Sequence, residues 1–486
     1  MRKIRIGLEI HQQLDTRKLF CNCPSIIKEK IEPDAIIKRN LFAVASELGS
    51  IDVAALYEQE KAKNHFYYFY KDCCCLVELD EMPPFPINEE ALRIAIQISL
   101  LLNAEILPLT QVMRKIVIDG SDVSGFQRTL LLAKNGWIEY EWKGNKRKLK
   151  IVSICLEEES AKKIKEEGNN VYWSLDRYGI PLIEITTEPT IENPEEAKIA
   201  ALAIGEVLRA CKVKRGLGTI RQDLNISVEG GARTEIKGIQ EPNLIPKVIE
   251  NEILYQIEKI KRNEIIKESV KKANEDGSLT FLRPLPGSAR MYPETDLPLI
   301  KIDKKLIEEI RKNLPKTIEE IKNELKELEN IDFIEGISRN RKKYEIYNEI
   351  IQKLKIKDIE TKKFLATILI NYLKEVSNEL KKSEDEIIEG VGNYLLNIIE
   401  DYIKKNITKH AVKEIIKEIC QGKKYIEIKE NYRTYKGEEL EKKILEFIKE
   451  KKIDKKYWVN ECIRRFKFNA EINEIMKILK KIDKNE

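Results

Sequence analysis

Proline and glycine are spread very unevenly along this chain of 486 residues. Fifteen of its 16 prolines and 16 of its 21 glycines stand before residue 301. Proline removes a backbone donor and fixes φ, and glycine opens turn conformations. A segment rich in both must break into short elements joined by turns. A segment nearly free of both can run in long helices. The front therefore reads as strands, turns and short helices. Beyond Pro315 the Ile/Leu stripes between Lys/Glu faces read as almost wholly helical. The expected fold is α+β. A mixed α/β cradle built on a sheet spans 1–303, followed by an all-helical domain over 304–408 and a small helical tail over 409–486.

Within the front, Ile4–His11 and Ile180–Ile185 carry strand patterns. Ile245, Val248, Ile249, Ile253, Ile257 and Ile260 fall on one helical face. The polar stretch from Lys267 to Ser278 reads as a short linker. The most apolar run, Ala91–Leu102, is interrupted by Arg93 and Gln97, so no membrane span is expected. The N-terminus shows no signal-peptide pattern, and nine cysteines are too few for a disulfide framework here. A cytoplasmic protein with reduced thiols is the expectation.

Charge is also uneven. The net charge is +5, and residues 411–486 alone carry 21 basic and 15 acidic side chains, a net of +6. Lys423, Lys424, Arg433, Lys455, Lys456, Arg464 and Arg465 belong to that excess. A basic end on a near-neutral body suggests a polyanion held there, against the plainer reading of a solvated helical surface.

No phosphate-binding loop of the G-x-x-x-x-G-K-[ST] type and no H-E-x-x-H motif occurs, and only His11, His65 and His410 are present. The front offers carboxylates in ordered settings instead. Glu9 and His11 are two apart on a strand and share a face. Glu157 and Glu158 end a strand-like run, and Glu184 sits inside Pro181-Leu-Ile-Glu-Ile. Asp223 alternates with Arg221 and Asn225, and Glu235 with Lys237. A charge inside an apolar strand is costly unless compensated. Glu9, His11, Glu157, Glu158, Glu184, Asp223 and Glu235 together form an oxygen-rich set suited to Mg²⁺, with Arg221 and Lys237 placed to meet a triphosphate. The polar turn Asp119–Thr129 reads either as a tight loop or as a nucleotide or substrate contact. Cys21, Cys23, Cys73 and Cys75 are candidate Zn²⁺ ligands, although neither cysteine group has C-x-x-C spacing.

Several motifs recur together: Gly7-Leu-Glu-Ile-His-Gln-Gln-Leu14, Lys18-Leu-Phe-Cys-Asn-Cys23, Cys75-Leu-Val-Glu-Leu-Asp-Glu81 and the Asp119–Thr129 turn. They are followed by Pro181-Leu-Ile-Glu-Ile185, Gly218-Thr-Ile-Arg-Gln-Asp-Leu-Asn225, Arg233-Thr-Glu-Ile-Lys-Gly238 and the Arg283–Asp296 segment. Through its first 300 residues the chain closely resembles the GatB/GatE family of glutamyl-tRNA(Gln) amidotransferase subunits, and within it the archaeal E type. The resemblance implies ATP-dependent phosphorylation of the γ-carboxylate of Glu on Glu-tRNA(Gln). Ammonia from a GatD-like, asparaginase-type partner subunit then displaces phosphate, in a heterodimer or heterotetramer. It also implies Glu9, His11, Glu184, Arg221 and Lys237 in the reaction. Ser124, Gly125, Gln127, Arg128 and Asn225 would contact ATP or substrate, and the basic tail would hold tRNA(Gln). The alternatives are a B-type subunit that also accepts Asp-tRNA(Asn), and a non-catalytic tRNA-binding scaffold.

Three features depart from the family pattern. The usual inserted domain resembling one in aspartyl-tRNA synthetase is absent before Arg283. The tail lacks a Met-Gly motif. Glu157-Glu-Glu159 and Asp122 replace the usual Glu-Glu-Asp and Asn, keeping oxygen ligands.

Overall fold

The computed structural model describes residues 2–28, 32–45, 49–287 and 291–485. Ser288, Ala289 and Arg290, part of the Arg283–Asp296 motif, lie outside the described residues. The fold is α+β. Every strand among the described residues lies before residue 302, and helices follow.

One large sheet organises the front. In spatial order it runs β15 (Leu279–Pro284), β14 (Ser269–Ala273), β13 (Thr234–Ile239), β12 (Ile220–Val228) and β1 (Ile4–Gln13). It continues through β11 (Pro181–Thr187), β8 (Asn145–Glu158), β7 (Phe126–Trp142), β6 (Val112–Ile116) and β16 (Met291–Pro293). The short β4 (Glu105–Ile106) also pairs with β7. Neighbours are antiparallel except β13 and β14. Lys267–Ser278 is therefore more than a linker: Ser269–Ala273 forms β14, with Ser269 and Val270 buried against the sheet. A smaller sheet takes β2 (Ala35–Arg39), β3 (Asn64–Phe69), β10 (Asn170–Ser174) and β9 (Lys162–Glu167), while β5 (Leu109–Thr110) pairs with β17 (Ile300–Lys301).

Alternation decides what each face of the large sheet carries. Ile6, Leu8 and Ile10 of β1, Leu224 and Ile226 of β12, Ile183 and Ile185 of β11, and Ile236 of β13 are buried in one hydrophobic cluster. That cluster also contains the apolar faces of α2 (Glu89–Leu101), α3 (Pro194–Ala210) and α4 (Ile245–Lys261). The α4 stripe holds as expected: Ile245, Val248, Ile249 and Ile253 are buried, and Ile257 and Ile260 pack against the cluster. Burying such side chains stabilises by roughly 1.5–3 kcal/mol each, which pins the odd-numbered residues of β1 and β12 to the other face. Asn88 and Asn193 cap α2 and α3 through side-chain oxygens that accept backbone N–H groups of the first turn.

The chain divides into two compact units, Met1–Thr317 and Ile318–Glu486. The second is helical and holds two hydrophobic clusters, one drawn from residues between Ile321 and Ile428 and one between Leu440 and Ile482. Helix Glu384–Ile403 starts with a capping box between Ser383 and Glu386, and helix Lys409–Cys420 buries Ala411, Val412, Ile415 and Ile416 in the same cluster. The position near residue 408 thus lies between two helices that share a core.

Candidate active site

The polar face of the large sheet walls a cavity of about 430 Å³. Strand register builds its floor. His11 lies opposite Glu184 on β11 and Arg221 on β12, and Glu9 lies opposite Asp223. Asn225 lies opposite Glu235 on β13. Directly opposed residues on one face have Cβ atoms about 5 Å apart, so side chains from four strands converge. Glu9, His11, Glu157, Glu184, Asp223 and Glu235 all line this cavity, as do Arg221 and Lys237.

His11 is the centre of the cluster. Its Nε2 lies 3.6 Å from Glu9, 3.3 Å from Glu184 and 3.9 Å from Glu157. Its Nδ1 is buried without a hydrogen-bond partner. Glu9, His11 and Asp223 form one potential ligand set, and His11, Glu157 and Glu184 another. The cations are equally close. Lys237 lies 2.6 Å from Glu235 and 3.1 Å from Asp223, and Lys115 lies 2.7 Å from Glu157 and 3.6 Å from Glu184.

These contacts set the protonation states. Burial, then the Glu184 charge, pushes the Glu9 carboxyl up to about 7. Burial works against ionised Glu184 too, but Lys115 and the hydrogen bond from His11 overcome it and hold its carboxyl well below the usual range. Asp223 is likewise lowered: burial opposes ionisation, and Lys237, His11 and Arg221 together outweigh it. Burial favours the neutral His11 ring, but the hydrogen bond to Glu184 together with the Asp223 and Glu184 charges overcomes it and raises His11. The site is a mixed-charge surface, with carboxylates and cations interleaved.

Not every candidate residue joins it. Glu158 points to the opposite side of β8 from Glu157 and contacts Arg128, 3.3 Å from its Nη1. Arg128 Nε donates to Glu294 at 2.8 Å, so Arg128 is a buried tie between strands rather than a cavity wall. Gln127 does line the cavity, and its Nε2 donates to the Glu158 carbonyl at 2.6 Å. Ser124 and Gly125 form the turn before β7: Ser124 Oγ donates to the Phe126 carbonyl, and Gly125 N–H to the Asp122 carbonyl. Asn225 Oδ1 accepts two bonds from Arg233, which itself lines the cavity. Asp122 is fully buried behind Ser121 and Ser160 and is not among the lining residues.

Lys115, Asp119, Arg233 and Arg283 also line the cavity, the last three as the first residues of the Asp119–Thr129, Arg233–Gly238 and Arg283–Asp296 motifs. Glu159, beside the cavity, is held down at about 2 by Arg221, whose Nη1 donates to it at 2.8 Å, although burial opposes this. Lys115 has a visible signal: a lysine beside Ile116-Val117-Ile118, as unusual there as Glu184 in its own strand. Arg283 approaches from over 160 residues away, 3.4 Å from Asp119, and sequence spacing carries no sign of that.

The cysteines form a second group. Cys21, Cys23 and Cys75 gather with Glu78, their ligand atoms within 4.8 Å of one another, and this set can hold a metal ion. Cys73 is not part of it. Its Sγ lies 4.0 Å from Cys74, and both are buried in the cluster around Tyr67 and Trp173. Adjacent residues in a tight turn point in different directions, so Glu78 takes the place expected for Cys73. Cys75 is lowered to about 7, chiefly by the neighbouring Cys21 thiol. Glu78 is also lowered: burial opposes ionisation, and buried Lys18, 3.3 Å away, overcomes it together with hydrogen bonds from Cys21 and Cys75. Thiolates and a carboxylate are zinc ligands.

Most of the basic tail residues have carboxylate neighbours. Lys423 lies 3.2 Å from Glu418, Arg433 2.6 Å from Glu439, Lys456 3.6 Å from Asp454 and Arg464 3.9 Å from Glu461, while Lys455 pairs with Asp483. Arg465 stacks 5.4 Å from the Phe466 ring, and Lys424 precedes helix Tyr425–Ile428. No helix among the described residues is long and apolar enough to cross a membrane.

The family model for the GatB/GatE catalytic domain matches residues 4–308. The chain is similar to the E subunit of the glutamyl-tRNA(Gln) amidotransferase from Methanocaldococcus jannaschii, with 35% identity over 98% of each chain. It is similar to the proteins of the same name from Methanococcus vannielii, 35% identical over 85% of each, and Sulfurisphaera tokodaii, 34% over 92% of each. The first alignment runs over 645 positions against 486 residues here, a surplus of 159, so that relative carries a domain-sized length of sequence with no counterpart in this chain.

Proposed function

The chain belongs to the GatB/GatE family, and on that premise we propose that it is the component of a tRNA-dependent amidotransferase that activates Glu-tRNA(Gln). The observation that carries this reading is the cross-strand row of Arg221, His11 and Glu184 flanked by Glu9 and Asp223, a mixed-charge floor inside one cavity. Such a floor suits a nucleotide triphosphate with its divalent cation better than an apolar substrate.

In this reading the γ-carboxylate of the esterified glutamate attacks the γ-phosphorus of ATP and releases ADP. Ammonia then attacks the acyl carbon, and phosphate leaves with its electron pair. The ammonia nitrogen gives up its proton to the departing phosphate or to water. Arg221, Lys237 and Lys115 orient the phosphates and offset their charge. Glu9, His11, Glu157, Glu184, Asp223 and Glu235 would hold Mg²⁺, and the orphaned Nδ1 of His11 fits a cluster that lacks a partner. Bound Mg²⁺ supplies neutralisation of phosphate charge. The ammonia comes from a GatD-like amidase partner, and the tail over 409–486 contributes to holding tRNA(Gln). Cys21, Cys23, Cys75 and Glu78 bind Zn²⁺ as a structural clip. Metal analysis tests that part: Cys75→Ser loses the zinc and Cys73→Ser keeps it.

The decisive variant is Glu184→Gln, a near-isosteric change. It should keep the fold and lower ATP-dependent formation of Gln-tRNA(Gln) by about a hundred- to a thousandfold, as loss of one charge-stabilising group does. Ammonium salt should not restore it, because the lost step precedes amine attack. Full rescue by ammonium would move Glu184 to ammonia delivery and overturn the assignment.

A further inference from the structure

Beyond the cavity, β7 and β8 continue as a hairpin to the turn Lys143-Gly144, paired from Gly136–Ile151 to Trp142–Asn145. From Lys134 to Lys150 it carries six basic and two acidic side chains. Register divides its faces. Ile138 and Leu149 belong to the buried core. Trp137 opposite Lys150, Glu139 opposite Lys148 and Glu141 opposite Lys146 lie on the other side, and exposed Lys134 joins them because Asn135, at φ 55°, interrupts the alternation and its neighbour Ala133 is the residue in the core.

The cations of this face are exposed; Lys150 lies 3.5 Å from Glu188, while the other three close no ion pair among the described residues. Among the described residues no carboxylate oxygen lies within 4.0 Å of Lys134, Lys146 or Lys148. Lys148 instead sits 3.7 Å from the centre of the half-buried Trp137 ring. A cavity of about 270 Å³ opens beside it, walled in part by Lys146, Arg147, Lys148 and Thr190. Arg147 is already committed there to buried Glu196, at 3.0 Å. This differs from the tail, where most of the basic residues named above have a carboxylate within 4.0 Å.

The geometry points to a phosphate-backbone contact surface for RNA on this hairpin, formed by Lys134, Lys146 and Lys148 with the Trp137 ring beside them. The inference rests on the proposed tRNA-dependent reaction. Unpaired lysines at the spacing of a strand face neutralise successive phosphates, and an aromatic ring among them accepts a base or sugar face. The hairpin also extends the strands that wall the cavity. From Gln127 at the cavity to Glu139 the strand runs about 40 Å at roughly 3.3 Å per residue. An RNA whose aminoacyl end enters the cavity would have its neighbouring helix within reach of these lysines.

The test compares the full chain with a Lys134→Gln, Lys146→Gln, Lys148→Gln variant, all exposed positions outside the catalytic cavity, measuring binding of Glu-tRNA(Gln) over a range of salt. Affinity should fall about tenfold or more at low salt, and the slope of log K against log salt should become shallower by about three. In the transamidation assay KM for Glu-tRNA(Gln) should rise while kcat at saturation stays. The corresponding Lys→Arg variant should bind as the parent does, which separates charge from folding. Equal affinity and slope in parent and Gln variant overturn the hairpin contact. So does unchanged RNA binding combined with loss of the amidase partner, which would make the hairpin a protein interface. A parent that fails to convert Glu-tRNA(Gln) fails the proposed reaction instead, a result the variant does not affect.

Discussion

The two units of this chain handle charge in opposite ways. In Met1–Thr317 ionisable groups go inside. His11, Glu157, Glu159, Asp223, Glu235, Arg128 and Lys18 are all buried and tied to one another or to their neighbours across strands. In Ile318–Glu486 most charges stay outside, with Lys343 and Asp401 the buried exceptions among the described residues. Arg339–Glu335, Arg341–Glu345, Lys353–Glu349 and Lys404–Glu400 pair along single helices on exposed faces, above cores built largely from Ile, Leu and Val. Both units are rich in Lys and Glu, so composition does not separate them. Geometry does. A strand alternates its side chains between two faces, so one face can be apolar while the other encloses a polar cavity. A helix in a small bundle has one apolar stripe, and the rest of its surface meets water. Buried charge is costly to leave unpaired, so its concentration on one sheet face marks where chemistry is organised.

That contrast can be broken or sharpened by substitution. The largest stability effect is expected at Arg128. Arg128→Met leaves buried Glu158 without its cation and Glu294 with Arg114 alone, and unfolding free energy measured in urea should drop by about 3–5 kcal/mol. A drop under about 1 kcal/mol would show that these buried charges are better solvated than the geometry implies.

In the helical unit the comparable damage comes from an apolar residue. Leu395 is fully buried in the cluster between Ile321 and Ile428. Leu395→Ala should cost about 2–4 kcal/mol by cavity formation, read as a lower midpoint for the helical unit in the same titration. If Leu395→Ala is nearly silent, the helical cores are loosely packed and the contrast weakens.

The smallest effect is expected at the exposed pairs. Lys353→Ala removes an i, i+4 partner of Glu349 with both side chains more than half exposed. It should shift stability by less than about 0.5 kcal/mol, a barely measurable change in a thermal melt. A loss near that of Arg128→Met would mean that the surface pairs act as a network rather than singly.

Much of the site is legible because the period of a strand is local. Glu9 and His11, Asp223 and Arg221, and Glu235 and Lys237 are each two residues apart, and each pair lines the same cavity. The stripe on α4 is legible for the same kind of reason, at helical spacing. The failures occur where local rules do not decide. Of the adjacent Glu157 and Glu158, only the first faces the cavity, and that depends on the register of β8 against β7 and β11, both of which carry an irregularity. Residue type alone groups Cys73 with Cys21 and Cys23, whereas the turn after Tyr70 brings Glu78 to that position instead. The polar side chains from Lys267 to Ser278 suggest a linker. Yet β14 is held by backbone bonds to β13 and β15, which side-chain character does not report.

By itself, then, the sequence determined the division into a strand-rich front and a helical rear, through where proline and glycine permit turns. It also determined which neighbours in each strand share a face. Only the tertiary structure decided which faces meet. Lys115, Glu184, His11 and Arg221 come from four strands far apart along the chain. Their convergence follows from the burial of the opposite apolar faces beneath α2, α3 and α4. A slip of one residue in any of these strands would place a charge in that core and an apolar side chain in the cavity. The free energy that sets the site therefore lies largely on the far side of the sheet, in contacts that no short motif contains.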